Sequence, residues 1–162
     1  MMTTPVLLDN TILTNFAMVG RPDLVLRLWA DAVCTTSAAQ AEYQAGATAG
    51  LMPATTWADL SVVTLTEAEV GFADTLPPRL GAGERTCLAV ALHRQGLFAS
   101  DDEDARKAAR RYGAPVTGTV GILVLCVRQG YLSRDEADAL LREMIAVGYR
   151  SPVTDLSPWL GP

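Results

Sequence analysis

Five short apolar runs, each separated from the next by helical sequence, constrain this chain most. They are Pro5-Val-Leu-Leu8, Val33-Cys-Thr-Thr36, Ser61-Val-Val-Thr-Leu65, Leu97-Phe-Ala-Ser100 and Pro115-Val116. Short apolar runs bounded by turn residues read as buried strands. The first helix runs through Phe16-Ala-Met-Val19 to Gly20, and Pro22 opens a second, to Trp29. Ser37 with Gln40 reads as a capping box for a helix from Ala38 to Gly46 or beyond, and Gly46 to Pro53 is small-residue punctuation. Thr66 with Glu69 caps a helix ending near Pro77-Pro78, and Gly81-Ala-Gly83 opens one over Glu84 to Gln95, closed by Gly96. Further helices span Asp101–Tyr112 and Gly118–Gln129, and Ser133 with Glu136 caps the last, to Val147. Strand–helix alternation dictates a central parallel sheet covered on both faces, because parallel neighbours need a crossover. The expectation is a Rossmann-like three-layer α/β/α sandwich: a single domain over residues 1–150, with a loosely attached Pro- and Ser-rich tail over 151–162.

The 162 residues, 49% hydrophobic, suffice for one sizeable core. The longest near-continuous apolar run, Gly121 to Val127, falls far short of the roughly 20 residues that span a bilayer. Met1-Met-Thr-Thr-Pro5 lacks a basic start and an apolar stretch, so a soluble cytoplasmic protein with no membrane partner is expected. Thirteen basic against eighteen acidic residues give a net charge of −5. That argues against coating nucleic acid by bulk charge, but not against an enzyme that cuts it. Cys34, Cys87 and Cys126 are widely spaced in apolar sequence and read as buried thiols rather than a zinc site. His93 is the only histidine, which excludes paired imidazoles as acid and base within one chain.

In open α/β sheets, sites form beyond the carboxyl ends of the strands. The polar residues there are mainly acids: Asp9 with Asn10 and Thr11, Glu42, Glu84, and Asp101 with Asp102, followed by Thr117 and Thr119. Each acid alone has a structural reading. Asp9 suits a helix cap, Glu42 a solvated face and Glu84 a helix dipole. Ser100 with Glu103 matches a capping box, which makes Asp101 and Asp102 first-turn acids. Together they demand more. Two carboxylates about 4 Å apart repel by roughly 4 kcal/mol at an effective dielectric near 20. A hard divalent cation such as Mg²⁺ or Mn²⁺ removes that conflict and activates water beside a phosphodiester. Other chemistries lack their residues. Gly81-Ala-Gly83 is half a dinucleotide fingerprint with no strand before it, and no Gly-Lys-Ser/Thr exists. The sole lysine is Lys107, Asp9-Asn-Thr11 is not Asp-x-Asp, and no nucleophile elbow is present.

Leu7-Leu-Asp9-Asn-Thr-Ile-Leu-Thr-Asn-Phe16 resembles the opening of PIN domains, and Ala39-Gln-Ala-Glu42-Tyr43 resembles their second acidic motif. Leu80-Gly-Ala-Gly-Glu84-Arg-Thr-Cys-Leu-Ala-Val-Ala91 is similar to the Gly-Glu variant of one bacterial branch. Ser100-Asp-Asp-Glu-Asp-Ala-Arg106 and Val116-Thr-Gly-Thr-Val-Gly-Ile-Leu123 resemble the same branch, so the likeness covers about residues 5 to 150. It implies a metal-dependent endoribonuclease, commonly the VapC-like toxin of a toxin–antitoxin pair. It also implies Mg²⁺ or Mn²⁺ held by Asp9, Glu42, Glu84 and Asp101 or Asp102. Many PIN domains carry Asp where this chain has Glu84. Thr11 or Thr119 would orient a water, and Arg106 and Arg110, four apart on one helix face, would hold RNA backbone or else form a solvated face. The expected partners are RNA, a small antitoxin and a second copy of the chain. Leu24, Leu26, Leu28 and Trp29 are a candidate partner surface or else core. The alternatives are a catalytically silent PIN-like module binding RNA or protein, and a DNA-directed nuclease on the same metal site.

Overall fold

The computed structural model describes residues 3–50 and 57–162. Its chain runs β1 (Val6–Leu8), α1 (Asn10–Met18), α2 (Pro22–Trp29), a 3₁₀ turn (Ala30–Ala32), β2 (Val33–Thr36), α3 (Ser37–Thr48) and β3 (Ser61–Val63). It continues with α4 (Glu67–Thr75), α5 (Ala82–His93), β4 (Leu97–Ala99), α6 (Glu103–Arg111), β5 (Val116–Thr117), α7 (Thr119–Arg128), α8 (Arg134–Ala146) and α9 (Ser157–Leu160). The end of the Gly46–Pro53 punctuation lies outside the described residues.

All five strands are parallel, in the order β3-β2-β1-β4-β5. β1 is central, pairing Val6 with Val33 on one side and with Leu97 on the other. Successive side chains of a strand point to opposite faces. Accordingly Val6 and Leu8 enter one core, with Ile12, Phe16, Leu123 and Leu141, while Leu7 enters the other, with Leu80, Leu88, Phe98 and Ala105. Helices cover both faces, so the expected α/β/α sandwich is the fold. Among the described residues no helix is long and apolar enough to cross a membrane.

Local rules explain most boundaries. Thr66–Glu69 and Ser133–Glu136 form full capping boxes. Three expectations are corrected. α3 is capped by Thr36, whose hydroxyl accepts from the Ala39 amide at 3.2 Å, and Ser37 is already helical. The left-handed residue closing α5 is Gln95, φ +53°, rather than Gly96. The cap of α6 is Asp102, not Ser100: its Oδ2 accepts from the Ala105 amide at 2.8 Å.

The tail is not loose. Leu156 is fully buried and its amide donates to Asp138 Oδ1 at 2.9 Å. Arg134 donates to the Ser157 hydroxyl at 2.9 Å. On α2, Leu24 is core, Leu28 and Trp29 pack against the same cluster, and of these four apolar residues Leu26 is the one that stays exposed.

Candidate active site

The chain lays β1, β2 and β3 to one side, then returns to place β4 and β5 on the other. That reversal opens a crevice beyond the carboxyl ends of β1 and β4, the usual place for a ligand in such a sheet. Asp9 follows β1 there and is fully buried. Its backbone is extended, so its carboxylate turns back to cap α1. Oδ1 accepts from the Thr11 amide at 2.9 Å, the Ile12 amide at 3.3 Å and the Thr11 hydroxyl at 2.5 Å. Oδ2 accepts from the Ser100 hydroxyl at the end of β4. Burial pushes the Asp9 carboxyl up to about 7; the Ser100 and Thr11 hydroxyls resist that rise, and the Asp101 and Glu84 charges add to it.

Asp101 follows β4. Its Oδ1 accepts from the Thr119 amide at 2.7 Å and from the Tyr149 hydroxyl at 3.4 Å. Its Oδ2 accepts from Asn15 Nδ2 at 2.9 Å and from the Thr119 hydroxyl. The Asp101 amide donates to Thr11 Oγ1 at 2.8 Å, which ties the two acids through one threonine. Burial raises the Asp101 carboxyl above its ordinary range, against the Thr119 and Asn15 donors and the Arg106 charge. Gly118 makes this packing possible: a Cβ there would stand 2.6 Å from Asp101 Oδ1 and 2.8 Å from Arg106 Nη1.

Glu42 on α3 and Glu84 on α5 face each other across two glycines. Glu84 Oε2 accepts from the Gly81 amide, and Glu42 Oε1 accepts from the Gly83 amide at 2.8 Å. A Cβ on Gly83 would meet Glu42 Oε2 at 2.8 Å and the Ala39 Cα at 3.0 Å. Burial raises the Glu84 carboxyl, with the Asp102 and Glu42 charges adding to it. The acids therefore form an electrostatically linked series, Asp101 to Asp9 to Glu84 to Asp102 and Glu42.

With that series in place, the comparison with known families is decisive. The sequence matches the model of a family described as DUF3368, a PIN domain, over residues 5–160. The chain belongs to the PIN-domain family. No curated protein and no solved structure matches it. The PIN domain is a nuclease fold, generally metal-dependent and acting on nucleic acid.

The donor chemistry of this PIN domain fits a hard divalent cation: anionic oxygens only, mutually repelling, with Asp9 poorly solvated. Among the described residues, however, no three acidic, cysteine or histidine side chains close around one point. The arrangement is an open rim, and backbone amides hold Glu42 and Glu84 on it.

All five acids singled out in the sequence lie on this rim or one turn from it. Thr11 and Thr119 are both present, with their hydroxyl protons given to Asp9 and Asp101. Arg106 turns inward, Nη1 donating to the Ser100 carbonyl at 3.0 Å, whereas Arg110 is exposed beside Glu103 at 3.8 Å. Three residues that bond to these acids were not singled out in the sequence: Asn15 and Tyr149 on Asp101, and Ser100 on Asp9. Asn15 had a signal, since it lies one turn beyond Thr11 on α1. The cysteines stay out of the chemistry: all are buried, and burial pushes Cys34 and Cys126 up to about 11.

Proposed function

We propose that this PIN domain is a metal-dependent endoribonuclease of the cytoplasm, the toxin of a toxin–antitoxin pair, assembled as a homodimer and restrained by a small protein antitoxin. The observation that carries the nuclease reading is the buried Asp9 carboxylate, braced by Thr11 and Ser100 and flanked by two further acids. Once ionised, such a group is costly to the fold unless a cation uses it.

Asp9 and Asp101, tied through Thr11, would hold Mg²⁺ or Mn²⁺ from one side of this open rim, with Glu84, Glu42 and Asp102 supplying the rest of its negative charge. When bound, the metal supplies activation of water and neutralisation of charge on the phosphodiester. The protein's own residues do the positioning. Thr11 fixes Asp9 by its hydroxyl and Asp101 by accepting its amide. Thr119 and Asn15 fix Asp101, and the Gly81 and Gly83 amides fix Glu84 and Glu42. Water attacks phosphorus in line with the leaving 3′ oxygen. The P–O3′ bond breaks, the attacking water gives up one proton to solvent and the 3′ oxygen takes one up, and the products carry 5′-phosphate and 3′-hydroxyl.

The test is cleavage of end-labelled RNA by wild type and Asp9→Asn, with Mn²⁺ or Mg²⁺ and then with EDTA. Loss of activity in both the variant and the chelated sample is expected, with a fall of at least about 100-fold for a group that holds the metal. Activity that persists in EDTA overturns the metal mechanism. Cleavage of DNA but not RNA overturns the choice of substrate.

A further inference from the structure

Beyond Asp101 the surface opens into a groove of about 560 Å³ between α6, the β5–α7 turn and the C-terminal segment. Its walls carry Arg106 and Arg110 from α6, Tyr149 and Arg150 from the turn after α8, and Trp159 on α9. A second cavity, of about 350 Å³, shares Asp101, Tyr149 and Arg150 with it, so the two meet beside the acidic rim. In a chain of net charge −5, this groove carries three guanidinium groups against two carboxylates, Asp101 and Glu103, a modest local excess of positive charge. Trp159 is 44% exposed, yet the segment carrying it is anchored. Leu156 is buried beneath it, and Arg128 donates to the Trp159 carbonyl at 3.4 Å. An indole held open on a fixed support is not explained by folding, since burying it would have been the gain. Tyr149 links groove to rim through its hydroxyl bond to Asp101.

We propose that this groove binds the single-stranded RNA flanking the bond to be cut, with Trp159 and Tyr149 stacking on bases and Arg110 and Arg150 meeting phosphates. Cationic and aromatic side chains interleaved along a groove are what an unpaired strand requires: π-faces for its bases and positive charge for its backbone. A duplex keeps its bases stacked internally and offers the aromatics nothing. Arg110 is free to serve, because its exposed pairing with Glu103 is weak. The proposal rests on the ribonuclease reading, and its test separates the two.

Fluorescence anisotropy of a labelled single-stranded RNA, in EDTA, reads groove binding without cleavage. The full-length wild type, Trp159→Ala, Trp159→Phe, Arg110→Gln and Arg150→Gln are compared, with thermal melts to establish folding. Trp159→Ala should weaken binding about 5- to 100-fold, and Trp159→Phe should recover most of it. Each arginine variant should lower the slope of log affinity against log salt by about 0.7. With Mn²⁺ present, Trp159→Ala should raise KM and leave kcat nearly unchanged. RNA cleavage by the wild type together with unchanged binding by Trp159→Ala overturns the groove and leaves the nuclease reading standing. Trp159-dependent binding without any cleavage supports the groove and overturns the nuclease reading. Equal affinity for duplex RNA overturns the single-strand assignment.

Discussion

At the scale of one residue, Asp9 sets its proposed role against stability. In the fold its carboxyl keeps a proton up to about pH 7; in the unfolded chain it does so only to its ordinary 3.8. Between those values the folded state binds the extra proton, so this group's contribution to stability falls as pH rises. Asp9→Asn cannot ionise and escapes the effect. Metal-free Asp9→Asn should therefore gain on wild type by roughly 2–4 kcal/mol between pH 4 and pH 8, read as urea midpoints. A difference that stays flat with pH would sink the account. Mn²⁺ should then raise the wild-type Tm and leave the variant's unmoved. Part of this was legible in the sequence: an aspartate following an apolar strand and preceding Asn-Thr reads as a cap, and it is one. Its second partner was not legible. Ser100 lies 91 residues away and meets Asp9 only because β1 and β4 are neighbours. A matching Glu103 made Ser100 look like a helix cap, and the long-range bond to Asp9 prevailed.

At the scale of elements, the glycines between α3 and α5 determine whether two acids can share a rim. Gly83→Ala places a methyl against the Ala39 backbone and Glu42 Oε2, so the helices must part. It should cost about 1–3 kcal/mol and weaken Mn²⁺ binding measured by calorimetry. Gly71 on α4 is the control: a Cβ there meets nothing within 4 Å, and Gly71→Ala should stabilise by about 0.5–1 kcal/mol. Unchanged metal binding in Gly83→Ala would remove Glu42 and Glu84 from the rim. The helices themselves were readable, because a capping box is a local device and Thr66–Glu69 and Ser133–Glu136 obey it. The cap of α3 was misplaced by one residue. Thr36 and Ser37 are both competent caps, and the choice belongs to the sheet, where Thr36 is still registered against Val63.

At the scale of the molecule, α/β alternation and the parallel sheet could be read from periodicity, and the C-terminal segment could not. Proline and serine made residues 151–162 look loose, whereas one leucine and one aspartate hold them down. Leu156→Ala should cost about 2–4 kcal/mol in chemical denaturation, as for any buried leucine, and a loss below about 0.5 kcal/mol would show that segment to be detached. The central position of β1 carries a further consequence, in time. β1 is flanked by β2, made soon after it, and by β4, made some ninety residues later. Asp9 is made before β4 and gains its Ser100 bond only when β4 docks, and the Tyr149 bond to Asp101 follows later still. A chain stopped short of β4 therefore lacks the Ser100 bond to Asp9 and the Asp101 bond to Thr11. Such long-range closure is slow, so the acids of the proposed nuclease site would come together only after β4 has docked beside β1.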